Sequence, residues 1–543
     1  MKLERIEISG FRGIKRLSIA FDELTTLIGE NTWGKSSLLD ALSVALPPEG
    51  IPYHFELQDF HVDYSIAHPQ TQHLQIVLSF VSTDKNEINA GRYRKIRPVW
   101  IQDSQGQNRI IYRLSATRDE SEVNTRYSFL DIKGNQIPLH HSAKLAKELM
   151  TLHPVIRLRD SRRFERCLAD PKDVNARVEK RIDNTCRRLL AIPGHVNKGE
   201  MRSSLNAMNA LVEHYFSFKS NTRKNFRKHR DGIFFTAAPS SKSVSQVVEE
   251  TKDKQTRLLF MGLLNAYLQA KGPTTLRRCA RPLLIVEDPE GRLHPTHLAR
   301  AWGLLQLLPM QKILTTNSGD LLGQVPLASI RRLVRMSDKT ITKYISEQNL
   351  GDDEFRRIGF HIRFHRSGAL YARCWLLVEG ETEVWLFNEL ASQCGYNLAA
   401  EGIQIIEFAQ SGLKSLIKVA KAFGIDWHVV TDGDAAGKKY AAAVIAQLGN
   451  DQKRHRLTEL PDRDIEHYLY NNGFESFFKN MVKVPLDHPI PAKKVVTKVL
   501  KKFAKPDLAL AIVSHCENRG IDGIPILLRW TLKRVVTMAN GNT

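Results

Sequence analysis

From Leu3 to about Arg113 apolar and polar residues alternate in short runs, at 24–28, 74–80 and 110–114, separated by polar turns. A period of two predicts strands that are buried on one face. One helix interrupts them, beginning at Lys35. From about Ser142 to Arg230 the pattern changes to charged helical stretches, at 175–190 and 203–218, which predicts an insertion within a larger domain. Short strands and helices then resume, with apolar runs at 283–286 and 312–316, until about Tyr344. Residues 346–368 are polar and charged around Gly351-Asp-Asp-Glu and read as a connector. A second α/β alternation follows at 369–470, with strands at 375–378, 403–408 and 428–431 and helices at 383–394 and 413–423. The remainder, 471–543, reads as helical and basic, with Lys493, Lys494, Lys498, Lys501, Lys502 and Lys505.

The chain has 543 residues, 42% hydrophobic and 25% charged, a composition that excludes a disordered or membrane-embedded protein and leaves room for three or four domains. Its 79 Lys+Arg against 58 Asp+Glu leave a net charge of +21. Two stretches hold most of that surplus: 151–230, with 19 basic and 8 acidic residues, and 481–543, with 11 and 4. Clustered positive charge suits a polyanion, because phosphate contacts release condensed counterions; the alternative is a solvated surface. Cys167, Cys186, Cys279, Cys374, Cys394 and Cys516 are widely spaced, without a C-x-x-C, so neither zinc nor a disulfide framework is expected and a reducing cytoplasm fits. The N-terminus opens on a strand pattern instead of a signal peptide's apolar segment, and no apolar run approaches a membrane span.

Candidate chemistry changes this picture in two places. Gly29-Glu30-Asn31-Thr-Trp-Gly34-Lys35-Ser36, followed by Ser37, satisfies G-x-x-x-x-G-K-[ST] between a strand and a helix. Its backbone N–H groups would cradle phosphates, Lys35 would meet the β/γ-phosphates and Ser36 would ligate Mg²⁺, which predicts ATP binding. Downstream, Glu287 and Asp288 end the apolar run 282–286, where such a fold needs a metal-orienting and a water-activating carboxylate. We expect the metal-side role of Glu287 and the general-base role of Asp288.

The second place is an acidic constellation. The run ending at Val378 leads into Glu379-Gly380-Glu381-Thr-Glu383, in which Gly380 would permit a tight turn and Glu379 would converge with Glu383. About fifty residues on, His428-Val-Val-Thr431 leads into Asp432-Gly-Asp434, whose acids share one side of an extended segment. Carboxylates gathered at one sheet edge repel unless a divalent cation neutralises them, and hard oxygen ligands imply Mg²⁺ or Mn²⁺.

These motifs carry a resemblance. The phosphate loop, the paired acids and the following Leu293-His294-Pro295 resemble the ABC-type ATPase head of chromosome-maintenance and recombination ATPases. Two departures stand out: the signature loop would fall at Thr251-Lys-Asp-Lys-Gln255, before Arg257, without the family's serine and glycines, and Asn317 stands where the family has its switch histidine. Asn hydrogen-bonds but takes up no proton at neutral pH, so ATP binding is expected while turnover stays open. Gln58 is a candidate lid-loop glutamine. The acidic constellation resembles the Toprim domain of topoisomerases, primases and some nucleases. Asp464-Ile-Glu466 looks like the nuclease branch's further acidic motif, where Glu466 would bind a second metal, and Lys505-Pro-Asp-Leu-Ala resembles its lysine motif, in which Lys505 would stabilise charge on the scissile phosphate.

An ABC-type head with an inserted helical segment, followed by a Toprim unit, resembles the OLD (overcoming lysogenization defect) family of ATP-dependent endonucleases. The resemblance implies an α/β fold: head halves at 1–141 and 231–345, a helical dimerisation insertion at 142–230, the connector, a Rossmann-like Toprim domain and the basic helical region. It also implies a homodimer, DNA as substrate, a separate helicase partner, a cytoplasmic location and a role in phage defence or DNA repair. The mechanism it implies is two-metal phosphodiester hydrolysis, with ions about 4 Å apart held by Glu379, Glu383, Asp432, Asp434 and Glu466. Two alternatives stay open: a nucleotide-gated DNA-binding protein with an inactive acidic site, and an RNA-directed nuclease. Tyr468 and Tyr470 have no context that marks a transesterase nucleophile.

Overall fold

The computed structural model describes residues 1–63, 71–119, 122–158, 277, 279–291, 294–306, 310–346, 351–362, 367–409 and 411–541. They form two compact units, Met1–Val325 with Ser329–Thr342, and Lys343–Thr543 with Pro326–Ala328.

The first unit is built on one large mixed sheet. Strands β1 (Lys2–Phe11), β2 (Ile14–Ala20), β3 (Leu24–Ile28), β4 (His73–Val81), β5 (Ile101–Gln102), β6 (Asn108–Asp119), β7 (Glu122–Leu130), β8 (Val155–Leu158), β9 (Leu283–Glu287), β10 (Lys312–Thr315), β11 (Ile330–Arg335) and β12 (Thr340–Lys343) follow the spatial order β5-β6-β4-β1-β2-β12-β11-β3-β10-β9-β8, with β7 on β6. In β1 the alternation places Ile6 and Ile8 inward and pairs the strand antiparallel with β2 and β4. β3, β9 and β10 are buried almost throughout, threonines included, because their parallel pairing is covered on both faces. Helix α1 (Lys35–Ala45) turns Leu38, Leu39, Leu42 and Ala45 into this core.

The structure extends the strand-rich half beyond Arg113 to Leu130. β7 is paired on one side only and exposes every second residue for most of its length, so its apolar signal is weak. Of the segment read as an insertion, residues 142–158 sit inside the first unit: helix α2 (Ser142–Leu152) buries Ala146, Leu149 and Met150 in its core, and β8 pairs parallel with β9. The rest of that segment, with Cys167 and Cys186, and the signature-loop positions Thr251–Gln255 and Arg257 lie outside the described residues. Helices α3 (Pro295–Gln306) and α4 (Gly319–Gly323) complete this part of the unit.

The second unit holds helix α5 (Asp352–Phe360) within the residues read as a connector. Its first turn carries Asp352, Asp353 and Glu354, which favour a helix N-terminus; Glu354 accepts a hydrogen bond from Ser415 and Ile358 is buried. Beyond it lie β13 (Cys374–Val378), α6 (Glu381–Gln393), β14 (Ile403–Glu407), α7 (Leu413–Phe423), β15 (Asp426–Thr431), α8 (Ala435–Ile445), α9 (Lys453–Arg456), β16 (Leu457–Glu459), α10 (Ile465–Leu469), α11 (Glu475–Met481), α12 (Ala492–Lys502), α13 (Lys505–Glu517) and α14 (Ile526–Ala539). The sheet is parallel, in the order β14-β13-β15-β16. One core joins Leu376, Val378 and Leu386 of the α/β part to Val495, Leu508 and Leu528 of the basic helices. Among the described residues no helix is long and apolar enough to cross a membrane.

Candidate functional site

In the first unit the C-terminal ends of β3, β9 and β10 meet around a cavity of about 270 Å³ lined by Asn31, Lys35, Ser36, Leu39, Glu287, Asp288, Thr315 and Asn317. Gly34 opens α1 with φ 91°, and a Cβ there would press on Ile14 at 3.0 Å, so the loop's curl needs glycine. Lys35 reaches back to the Gly29 carbonyl and donates to Asn317 Oδ1 at 3.0 Å. Burial lowers the pKa of its ammonium, with Asp288 and Glu290 pulling the other way. A cation held among neutral oxygens at the base of a glycine-shaped loop is chemically suited to an incoming polyphosphate, and the donor set fits ATP with Mg²⁺.

The acids behind this loop are tied in ways the sequence does not reveal. Glu287 pairs with Arg157 at 2.8 Å, and Arg157 also holds Asp40, which in turn pairs with Arg12. Asp288 sits at φ 41°, a strained position for a non-glycine, held by its N–H to the Thr315 carbonyl and by Thr315 Oγ1 donating to its carboxylate at 3.1 Å. The Asn317 N–H donates to Glu290 Oε1 at 2.6 Å, while Glu290 Oε2 is buried without a partner. Glu30 and Ser37 are not among the cavity's lining residues; Ser37 Oγ instead accepts from the Gly13 N–H. Gln58 is not among them either, and its amide donates to Glu56.

In the second unit the strand order reverses direction about β13: β14 lies on one side, β15 and β16 on the other. Such a switch point leaves a crevice beyond the carboxyl ends of the strands. Glu379 follows the last residue of β13, Asp432 follows β15, and Asp464 caps α10 shortly after β16. Glu383 in the first turn of α6 and Glu466 in the first turn of α10 are both buried.

Electrostatics show that these acids face one another. Burial, together with Glu383, Glu379, Asp464 and Glu466, pushes the Asp432 carboxyl up to about 8. Glu379 is raised by burial and by Asp434 and Glu383. Glu383 and Glu466 are raised by burial and by Asp464, and Lys505, the first residue of α13, acts in the opposite direction on Glu379, Glu383 and Glu466. Glu379 Oε2, Thr382 Oγ1 and Thr431 Oγ1 are buried without hydrogen-bond partners. Among the described residues no three His, Cys, Asp or Glu side chains stand close enough to hold a metal ion as they are. The donors are nevertheless all hard oxygens, mutually repelling and partly orphaned, which is the chemistry that a divalent cation satisfies.

One detail differs from the sequence reading and two add to it. Gly380 does not form a tight turn, since its φ of −141° is ordinary extended backbone; glycine instead leaves room for Glu383, whose Oε2 would lie 3.3 Å from a Cβ. Asp434 has a second task besides its charge on Glu379: its Oδ1 accepts from the Gly437 N–H at 2.7 Å and caps α8. Asp464, given no role of its own in the sequence reading, is an electrostatic neighbour of Asp432 and binds His467 Nδ1 at 2.6 Å, leaving His467 Nε2 buried without a partner. Its place between an apolar run and a helix start was the available signal.

Comparison with known proteins matches the chain in two parts. Residues 1–369 match a family described as "Protein of unknown function (DUF2813)", and residues 370–434 match the "Overcoming lysogenization defect protein-like, TOPRIM domain". "Uncharacterized protein YbjD" of Escherichia coli (strain K12) is 43% identical over the whole of both chains. "Endonuclease GajA" of Bacillus cereus (strain VD045) is 20% identical, over 83% of this chain and 78% of that one. "OLD nuclease" of Thermus scotoductus (strain ATCC 700910 / SA-01) is 22% identical, over 80% and 82%. The chain belongs to the DUF2813 family, and its residues 370–434 match the Toprim domain of OLD-like proteins.

Proposed function

We propose that the protein is an ATP-binding, divalent-metal-dependent DNA endonuclease. The observation that carries this reading is the gathering of Glu379, Glu383, Asp432 and Glu466 at the switch point of a parallel sheet, with Lys505 as the cationic neighbour of Glu379, Glu383 and Glu466. The relatives named as nucleases support it. Bound Mg²⁺ or Mn²⁺ would supply a hydroxide-generating and leaving-group-stabilising charge. Glu379, Glu383, Asp432 and Glu466 would hold that charge, Asp434 would orient the α8 N-terminus beside it, and Lys505 would face the scissile phosphate.

In the head, Lys35, Ser36 and Asn31 would bind the nucleotide's phosphates, and Glu287 would hold the accompanying metal from the position in which Arg157 keeps it. Asp288 lines the same cavity, where it would act as general base toward water, and Glu290 braces the Asn317 wall. A homodimer and a part in phage defence or DNA repair, with a helicase as a separate chain, complete the proposal.

The test is a plasmid cleavage assay that crosses Mg²⁺, Mn²⁺ and EDTA with ATP, ADP and no nucleotide. Wild type is expected to nick or cut in Mg²⁺ or Mn²⁺, Asp432→Ala and Glu379→Ala to leave the plasmid intact, and Lys35→Ala to lose the response to nucleotide. Cleavage by Asp432→Ala at the wild-type rate would overturn the assignment of the site.

A further inference from the structure

A lysine face runs up to the acidic crevice. Between Pro491 and Lys505 the chain carries six lysines and no acid. In α12 the residues Val495, Val496 and Val499 are buried in the core, and the remaining surface exposes Lys493, Lys494, Lys498, Lys501 and Lys502. Lys502 donates to the Met481 carbonyl. Among the described residues Lys493, Lys494, Lys498 and Lys501 have no ion-pair partner. Lysines in such a tight group repel one another, and an exposed helix of this kind ordinarily intersperses acids at i±4. Here nothing within the helix balances them.

The placement of this face gives it direction. α12 packs against α10, which carries Glu466, and α13 packs along α6, which carries Glu383. The lysines of α12 therefore continue into Lys505 at the start of α13, beside the carboxylates. At 1.5 Å per residue, Lys493 to Lys502 spans about 13 Å, or about two phosphate spacings of one strand. The apolar side of α12 is committed to the core, so the helix cannot sink into a lipid surface in the manner of a membrane-bound amphipathic helix.

We propose that Lys493, Lys494, Lys498 and Lys501 form a phosphate track that guides the backbone of a DNA duplex toward Lys505 and the acidic crevice. The track rests on the nuclease reading for its destination, but its occupant is identified by charge and spacing alone. It reads no sequence: flexible ammonium groups on phosphates position a duplex without specifying bases.

The experiment measures binding of the full-length chain to a fluorescent 30-base-pair duplex by anisotropy, in EDTA, across a series of salt concentrations. Lys493→Gln/Lys494→Gln/Lys498→Gln is expected to lower the slope of log Kd against log salt by about 3 and to weaken binding about tenfold or more, uniformly across sequences. Its thermal midpoint should match wild type, since all three side chains are exposed. A double variant, Lys414→Gln/Lys533→Gln, removes exposed lysines from α7 and α14 and is expected to leave the slope unchanged. In Mn²⁺, the triple variant should raise the DNA concentration for half-maximal cleavage while leaving the maximal rate within about twofold.

An unchanged slope in the triple variant overturns the track, as does an equal loss per lysine in the control. So does lysine-dependent binding of a matched RNA duplex with no binding of DNA. Asp432→Asn separates this proposal from the nuclease reading: it should abolish cleavage and keep the wild-type slope. If wild type cuts nothing in any metal the nuclease reading fails, and the slopes still decide the track.

Discussion

Asp432 shows how much a residue's surroundings add to its chemistry. Alone it is an ordinary carboxylate; at the end of β15, faced by Glu383, Glu379, Asp464 and Glu466, it holds its proton up to about pH 8. A folded-state pKa raised above the unfolded value of about 4 contributes stability that is fully present below the unfolded value and is lost as pH rises through the folded one. The metal-free protein should therefore lose stability between about pH 4 and pH 8. Asp432→Asn should remove that loss, with a stability gain on the order of 1–2 kcal/mol near pH 8.5 after allowance for partial solvent exposure, fading toward pH 4. Urea unfolding in EDTA at both pH values checks it; a variant less stable than wild type near pH 8.5 would contradict the repulsion. Arg157 makes the complementary point. Nothing in its sequence context marks it, yet it holds Glu287 and Asp40 together from a half-buried position in β8.

At the scale of elements, the acidic crevice is a meeting of strand ends and helix starts. Asp434 caps α8, Asp464 caps α10, and Glu383 lies in the first turn of α6, so the N-terminal dipole of each helix partly offsets the carboxylates it carries. α8 approaches β15 so closely that a Cβ at Gly437 would stand 1.9 Å from the Asp432 carbonyl oxygen. Gly437→Ala must push the helix away from the very residue it supports. The expected cost is about 3 kcal/mol or more in urea unfolding, with loss of cleavage. Gly359→Ala in α5, where a Cβ meets nothing within 4 Å, is the control and should be neutral or stabilising by about 0.5–1 kcal/mol. Comparable losses in the two variants would show that the close approach of α8 is not what matters.

On the scale of the whole molecule, each compact unit has a core of its own, one around β1, β4, β6 and α1, the other around β13, α6 and the basic helices. A ligand that binds one folded unit stabilises that unit by mass action, about 2.7 kcal/mol at a hundredfold excess over its Kd. Scanning calorimetry should then show ADP in EDTA raising one transition and Mn²⁺ raising another. Lys35→Ala should abolish the first shift and keep the second, and Asp432→Asn should do the reverse. Loss of both shifts in either variant would contradict the assignment of one ligand to each unit.

Local pattern was enough to read the strands at β3, β4, β9, β10, β13, β14 and β15, because a half-buried or doubly covered strand writes its period or its apolar run directly into the chain. It also singled out Gly29–Ser36 and the acids at 379–383 and 432–434 as candidates, since residue types at fixed spacing are visible along a chain. β7, β8 and α5 were not legible: one is a weakly amphipathic edge strand, one a four-residue strand beside a basic segment, and one a polar helix whose few apolar contacts lie elsewhere in the second unit. Which acids confront which was decided by the tertiary structure alone. Strand order in the parallel sheet brings Glu379, Asp432 and Glu466 together from three separate segments, gives Asp434 a capping bond as well, adds Asp464, and sets Lys505 beside Glu379, Glu383 and Glu466. Spacing along a chain constrains only neighbours within a turn or a strand, whereas charge acts through space.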